Sequence, residues 1–161
     1  YKYLGINISE EKSILTSHEE QLLRKSSKLK GLICNTARQS FNRYTIGRLL
    51  WKTMAVPAIT YGSDVLALTQ TFWKTVEKHQ LELGTWCLGG NGISANAAIT
   101  GEMGWSTFTQ REARSKLQYL GRLRFLPQQN YAGRLHRYLR YKKFKTSWIR
   151  KMSILDLTYS K

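Results

Sequence analysis

The sequence predicts a mainly α-helical fold: a short N-terminal β-hairpin, a helical bundle, and a basic helical extension at the C-terminus. Three observations carry this. Apolar residues recur at helical spacing over long stretches, as at Leu22, Leu29, Ile33, Ala37 and Tyr44. Ser or Thr followed three residues later by Glu or Gln marks helix starts in several places. Strict two-residue alternation is confined to Leu4, Ile6 and Ile8, set between Tyr3, Gly5 and Asn7. With 161 residues, of which 42% are hydrophobic and 12% aromatic, the chain can bury a sizeable core and is not disordered in character.

The elements follow in order. The strand at Leu4–Ile8 needs a partner, either Lys12–Leu15 across a turn at Ser9, Glu10 and Glu11, or sequence before Tyr1. Thr16 and Ser17 with Glu19 and Glu20 form overlapping capping boxes, so a helix is expected from there to about Tyr44. Opposite its apolar face lie Arg24, Lys28, Asn35, Arg38 and Asn42, with Gly31 among them and no acid. The run Leu49–Gly62, LLWKTMAVPAITYG, is the densest apolar stretch and the expected centre of the fold. Leu49, Leu50, Met54, Val56, Ile59 and Tyr61 are expected to be buried, Lys52 being the one charge. Thr45 is expected to cap this helix from about Ile46, Pro57 to kink or restart it, and Gly62 to end it. The run is too short and too polar to cross a bilayer.

Thr69 then caps a helix with Phe72, Val76, Leu83, Trp86 and Cys87 on its apolar face, ending at Gly89 and Gly90. His79 lies on that same face and reads as a core residue. The stretch GGNGISANAAITGEMGW lacks both the Gly-Lys-Ser/Thr ending of a phosphate loop and the dinucleotide fingerprint, and reads as a loop with one short helix. Thr107 and Gln110 open a helix that Pro127 stops at about Leu126, with Leu117, Leu120 and Leu123 on its apolar side. Arg111, Arg114, Gln118 and Arg122 form a second basic stripe on it. The segment YAGRLHRYLRYKKF mixes aromatics with cations, which suits base stacking and suits a plain amphipathic helix equally. A last helix is expected through Trp148, Ile149, Met152 and Leu155.

Charge narrows the function. The 26 Lys and Arg against 10 Asp and Glu give a net charge of +16. Residues 1–60 hold ten basic and four acidic residues, residues 61–109 two and four, and residues 110–161 fourteen and two. Two basic flanks around a slightly acidic middle suit a polyanion, and nucleic acid is the expected partner rather than a membrane. Cys34 and Cys87 lack zinc spacing and read as free buried thiols. His18, His79 and His136 are isolated, and the only aspartates, Asp64 and Asp156, are far apart. No catalytic residue, metal-ligand set or cofactor site is therefore expected. The chain starts at Tyr1 without a signal segment and reads as an internal piece of something longer.

Four features in order then carry a resemblance: KYLGI at Lys2–Ile6, the apolar run with Pro57 closing in Ile-Thr-Tyr-Gly at Gly62, the helix with Leu83 and Gly84, and Glu102-Met-Gly-Trp105. Together they resemble the end of a reverse transcriptase from a non-LTR (LINE-type) retrotransposon, over Tyr1 to about Pro127. The resemblance implies that residues 1–15 close the palm as a primer-grip hairpin and that 16–127 form a helical thumb-like domain; residues 128–161, beyond it, read from their own composition as a basic helical extension. It also implies that the catalytic aspartates and their magnesium belong to a palm upstream, with palm and fingers absent from this chain. The first thumb helix would approach the template–primer duplex. The expected function is gripping RNA–DNA or DNA duplex through Arg24, Lys28, Arg38, Arg111, Arg114 and Arg122, in an intracellular protein with access to the nucleus. A self-standing helical nucleic-acid-binding protein and a degenerate element remnant remain open as alternatives.

Overall fold

The computed structural model describes residues 2–3, 6–7 and 14–159, apart from Gly92 and Lys145. Eight α-helices are described: α1 Ile14–Arg38, α2 Arg43–Leu50, α3 Val56–Thr60, α4 Gln70–Leu88, α5 Asn96–Met103, α6 Phe108–Phe125, α7 Tyr131–Tyr141 and α8 Ser147–Tyr159. The chain divides into two units: residues 1–61 with 68–109, and residues 62–67 with 110–161.

The expected β-hairpin over residues 1–15 is corrected. Ile14 and Leu15 lie in the first turn of α1 and so cannot belong to a return strand; Lys12 and Ser13 lie outside the described residues. Among the described residues upstream there is only a two-residue antiparallel pairing, β1 Lys2–Tyr3 with β2 Ile6–Asn7. Such a pairing is too short to stand as a hairpin. The fold is helical, and the turn expected at Ser9–Glu11 lies outside the described residues.

In the first unit, α1 buries Leu22, Ile33 and Ala37 as its periodicity requires, together with His18 and Ser26. It starts before the expected capping box and ends at Arg38, short of Tyr44. Ser40 folds back to donate to the Ala37 carbonyl (2.7 Å), and Asn42 caps a new helix by accepting from the Thr45 N–H (3.1 Å). Asn42, not Thr45, is thus the cap of α2. Glu19 is also used differently, since its carboxylate accepts from the Thr69 N–H and hydroxyl at the start of α4. Thr69 in turn caps α4 by accepting from the Phe72 N–H (3.2 Å). Gly89, with φ of 71°, closes α4 in a left-handed turn whose next N–H, Gly90, donates to the Thr85 carbonyl.

Between α2 and α3, Trp51–Ala55 form a π-helical turn in which the Val56 N–H reaches the Trp51 carbonyl five residues back. The wider turn falls immediately before Pro57, which has no N–H and would crowd the preceding turn of a regular helix. Only one side of the apolar run is buried. Trp51, Ala55 and Ile59 are fully enclosed, whereas Leu49, Met54 and Tyr61 are exposed, correcting their expected burial. Trp51 lies against Trp105 (6.1 Å between centroids, tilted) and Phe108 (6.4 Å, edge-on), and Phe108 stacks on Trp73 (6.0 Å). Buried Gln80 satisfies the Trp51 indole N–H (3.0 Å) and donates to Glu77 and the Ser106 carbonyl. The other carboxylate oxygen of Glu77 accepts from the Phe108 N–H (2.8 Å), holding the start of α6.

The second unit packs Leu120, Leu123 and Met152. Asn130 caps α7 by accepting from Ala132 and Gly133. Lys116 is completely buried: its ammonium donates to the carbonyls of Ser63 and Leu66 and pairs with Glu112 at 3.6 Å. Glu112 also pairs with Lys151 at 2.6 Å. The Trp148 indole N–H donates to the Asp64 carbonyl (2.8 Å), so the 62–66 turn is held from two sides.

Candidate nucleic-acid interface

Helix α1 presents a cationic stripe because its apolar positions are satisfied on the opposite side. Arg24, Lys28, Gly31, Asn35 and Arg38 are all exposed on one face. At ~1.5 Å rise per residue, Arg24 to Arg38 spans roughly 21 Å. No carboxylate pairs with Arg24, Lys28 or Arg38 among the described residues. Glu19 and Glu20 lie towards the N-terminus, and Glu19 is committed to Thr69. Asn42, expected on this stripe, belongs instead to the start of α2.

Three other cations of the first unit, Lys30, Arg43 and Arg48, are engaged with neighbouring groups. Lys30 forms a 2.5 Å pair with Glu82, which holds that carboxyl below its usual range. Arg43 donates to the Cys87 carbonyl at the end of α4 (3.2 Å) and covers the Trp86 ring at 5.6 Å. Arg48 lies over Tyr44, donating to its hydroxyl (3.3 Å). The contrast matters, because a phosphate-binding cation must not already be neutralised. The stripe passes that test and Lys30 does not, while Arg43 and Arg48 keep their charge but are tied to neighbouring groups.

In the second unit, Arg114 and Arg122 are exposed on α6 along with Gln118. Arg111 is half-buried and engaged within the protein. Each stripe is a property of its own unit. The buried Glu112–Lys116 pair beside this stripe was not expected, although its acid and base four residues apart on one helix were a legible signal.

The histidines and cysteines are buried or half-buried. The Ser26 hydroxyl and His79 ring are hydrogen-bonded at 2.9 Å. Burial lowers His18, His79 and His136 below the ordinary histidine value; the Tyr61 backbone and Glu19 partly offset this at His18, while Arg140, Arg124 and Arg137 add to it at His136. Cys34 and Cys87 are free thiols pushed upward by burial, Cys87 to about 11, where a thiolate is scarce at neutral pH. Among the described residues no group of His, Cys, Asp or Glu converges as a metal site, and no helix is long and apolar enough to cross a membrane.

Of the residues quoted for the reverse-transcriptase resemblance, some are enclosed and others, among them Pro57, Tyr61, Glu102 and Gly104, are exposed. Ile59, Leu83, Met103 and Trp105 are buried, and a Cβ at Gly84 would meet Ile99, Trp105 and Met103. No family model, curated protein or solved structure matches this chain.

Proposed function

We propose that this chain is the duplex-gripping, thumb-like part of an RNA-directed DNA polymerase resembling those of non-LTR retrotransposons. It holds template–primer duplex through the α1 face and contributes binding rather than chemistry, with magnesium and the catalytic carboxylates belonging to a separate palm. The observation that carries this reading is the exposed Arg24, Lys28 and Arg38 stripe, none of it neutralised by a described carboxylate. A duplex suits such a stripe because phosphates line it at regular intervals and each neutralised phosphate releases counterions. Arg114 and Arg122, on α6, are proposed as further phosphate contacts; Arg111 has less freedom to join them.

The reading predicts that replacing Arg24, Lys28 and Arg38 together by alanine weakens binding to a labelled RNA–DNA hybrid by a similar factor whatever the hybrid's sequence, since phosphate contacts position without reading bases. Loss confined to one sequence would replace duplex gripping with base readout. With magnesium and nucleotides on a primed template, the chain should incorporate nothing; extension of the primer would overturn the division between binding and chemistry.

A further inference from the structure

Helix α7 decides a question that its sequence leaves open. A plain amphipathic helix would bury its aromatic side chains and expose its cations. Here the buried face is made by Gly133 and His136, with His136 edge-on to Trp148 at 6.3 Å. Gly133 is the close approach, since a Cβ there would meet Leu126 Cβ at 3.1 Å. The tyrosines turn outward instead: Tyr131 is 77% exposed, Tyr138 52% and Tyr141 80%. Arg134 and Lys142 share the exposed side at helical spacing with Tyr131 and Tyr138. From Ala113 to Leu155 the sequence contains no carboxylate at all.

We propose that the outer face of α7 is a stacking platform for single-stranded nucleic acid, with Tyr131, Tyr138 and Tyr141 carrying bases and Arg134 and Lys142 contacting the intervening phosphates. The tyrosines are distributed over ~15 Å of helix, room for a few unpaired nucleotides. Each tyrosine is more than half exposed, Tyr138 with Phe144 tilted against it at 6.4 Å, and a ring face accepts any base, so the platform is sequence-tolerant. The bases of a duplex are already stacked on one another, which makes an unpaired strand the fitting ligand. A helix lying on a membrane would segregate its cations from its apolar residues. On α7 Arg134 falls between the Tyr138 and Tyr141 directions, with exposed Leu135 alongside Tyr131 and Tyr138, and Lys142 sits 5.7 Å over the Tyr141 ring. The inference stands on α7 alone and does not rest on the duplex reading of α1.

The test uses the whole chain and fluorescein-labelled single strands, oligo-dT and oligo-rU of about twelve nucleotides, followed by anisotropy. Replacing Tyr131, Tyr138 and Tyr141 together by alanine should weaken binding to both strands at least about tenfold. The matching triple phenylalanine variant should stay within about twofold of the parent, because it keeps the rings. The salt slope should be unchanged, since no charge is removed. Binding of an RNA–DNA hybrid should be retained, which separates this surface from the α1 stripe. Melting temperature should not move, and Tyr141→Ala alone, at the most exposed of the three positions, provides a variant with minimal risk to folding. Unchanged single-strand affinity in the folded alanine variant would overturn the proposal, as would equal loss in the phenylalanine variant. Tyrosine-dependent binding to phosphatidylserine vesicles with single-strand binding intact would reassign the face to a membrane.

Discussion

A single methyl group at Gly84 would lie 2.6 Å from Ile99 Cγ2 and 3.2 Å from Trp105, where α4 and α5 meet. Both neighbours are enclosed by other side chains and have little room to move. Gly84→Ala should therefore cost ~1–3 kcal/mol through overpacking, read as a lowered Tm; an unchanged Tm would mean that this contact is looser than described. The apolar run 49–62 gives a sharper pair. Ile59→Asp places an unpaired charge in a fully buried position, at a cost of several kcal/mol against a total stability of ~5–15 kcal/mol, and should unfold the domain. Met54→Asp, at a position 44% exposed, should be nearly neutral. Equal effects would erase the distinction between the two faces. Protonation follows the same logic. Burial places His18, His79 and His136 below the unfolded value of 6.5, so the unfolded chain binds protons first as pH falls. Their contribution to stability is complete above pH 6.5 and declines as pH drops below it towards their folded values. Tm measured from pH 8 to pH 5 should fall on the acid side of this range, and a flat or rising Tm would contradict the burial of these rings.

At the scale of elements, Lys116 of α6 is what holds the turn after α3. Its ammonium reaches the Ser63 and Leu66 carbonyls and balances Glu112, while burial lowers its pKa and Glu112 partly restores it. Lys116→Met removes the charge but leaves Glu112 buried with Lys151 and two carbonyls short of a donor, so a loss of ~3–5 kcal/mol is expected in chemical denaturation. A loss below ~1 kcal/mol would show that water replaces the ammonium. This network also marks where sequence reasoning stops. The 3.6-residue period located Leu22, Ile33, Ala37, Val76, Leu83 and Leu120, and local capping chemistry located Thr69 and Gly89, because both signals lie within one or two turns. Gln80 satisfying Trp51 and Lys116 satisfying Ser63 join residues 29 and 53 apart, and no local pattern encodes such partners. A dense apolar run is ambiguous for a related reason. With only Lys52, Thr53 and Thr60 as polar residues, the solvent side of Leu49–Gly62 was too weakly marked to say that Trp51, Ala55 and Ile59 turn inward while Leu49 and Met54 turn out. The break at Asn42 was readable from Asn followed by Thr45, but the apolar period continuing to Tyr44 masked it. The basic stripe of α1 was legible because it is the complement of a well-marked apolar face.

For the molecule as a whole, the net charge of +16 makes binding to polyanions expected at low salt, so affinity alone does not identify the functional face. What separates a positioned stripe from general attraction is how many counterions each group of cations releases. The most direct measurement is the log–log salt dependence of binding to one RNA–DNA hybrid, by anisotropy, for the parent and two folded variants of equal charge. One variant replaces Arg24, Lys28 and Arg38 by alanine, and the other replaces Arg140, Lys142 and Lys143. The account predicts that the slope falls by ~2–3 in the α1 variant and by less in the second. An unchanged slope in the α1 variant, or a larger fall in the other, would contradict the assignment of the duplex to α1.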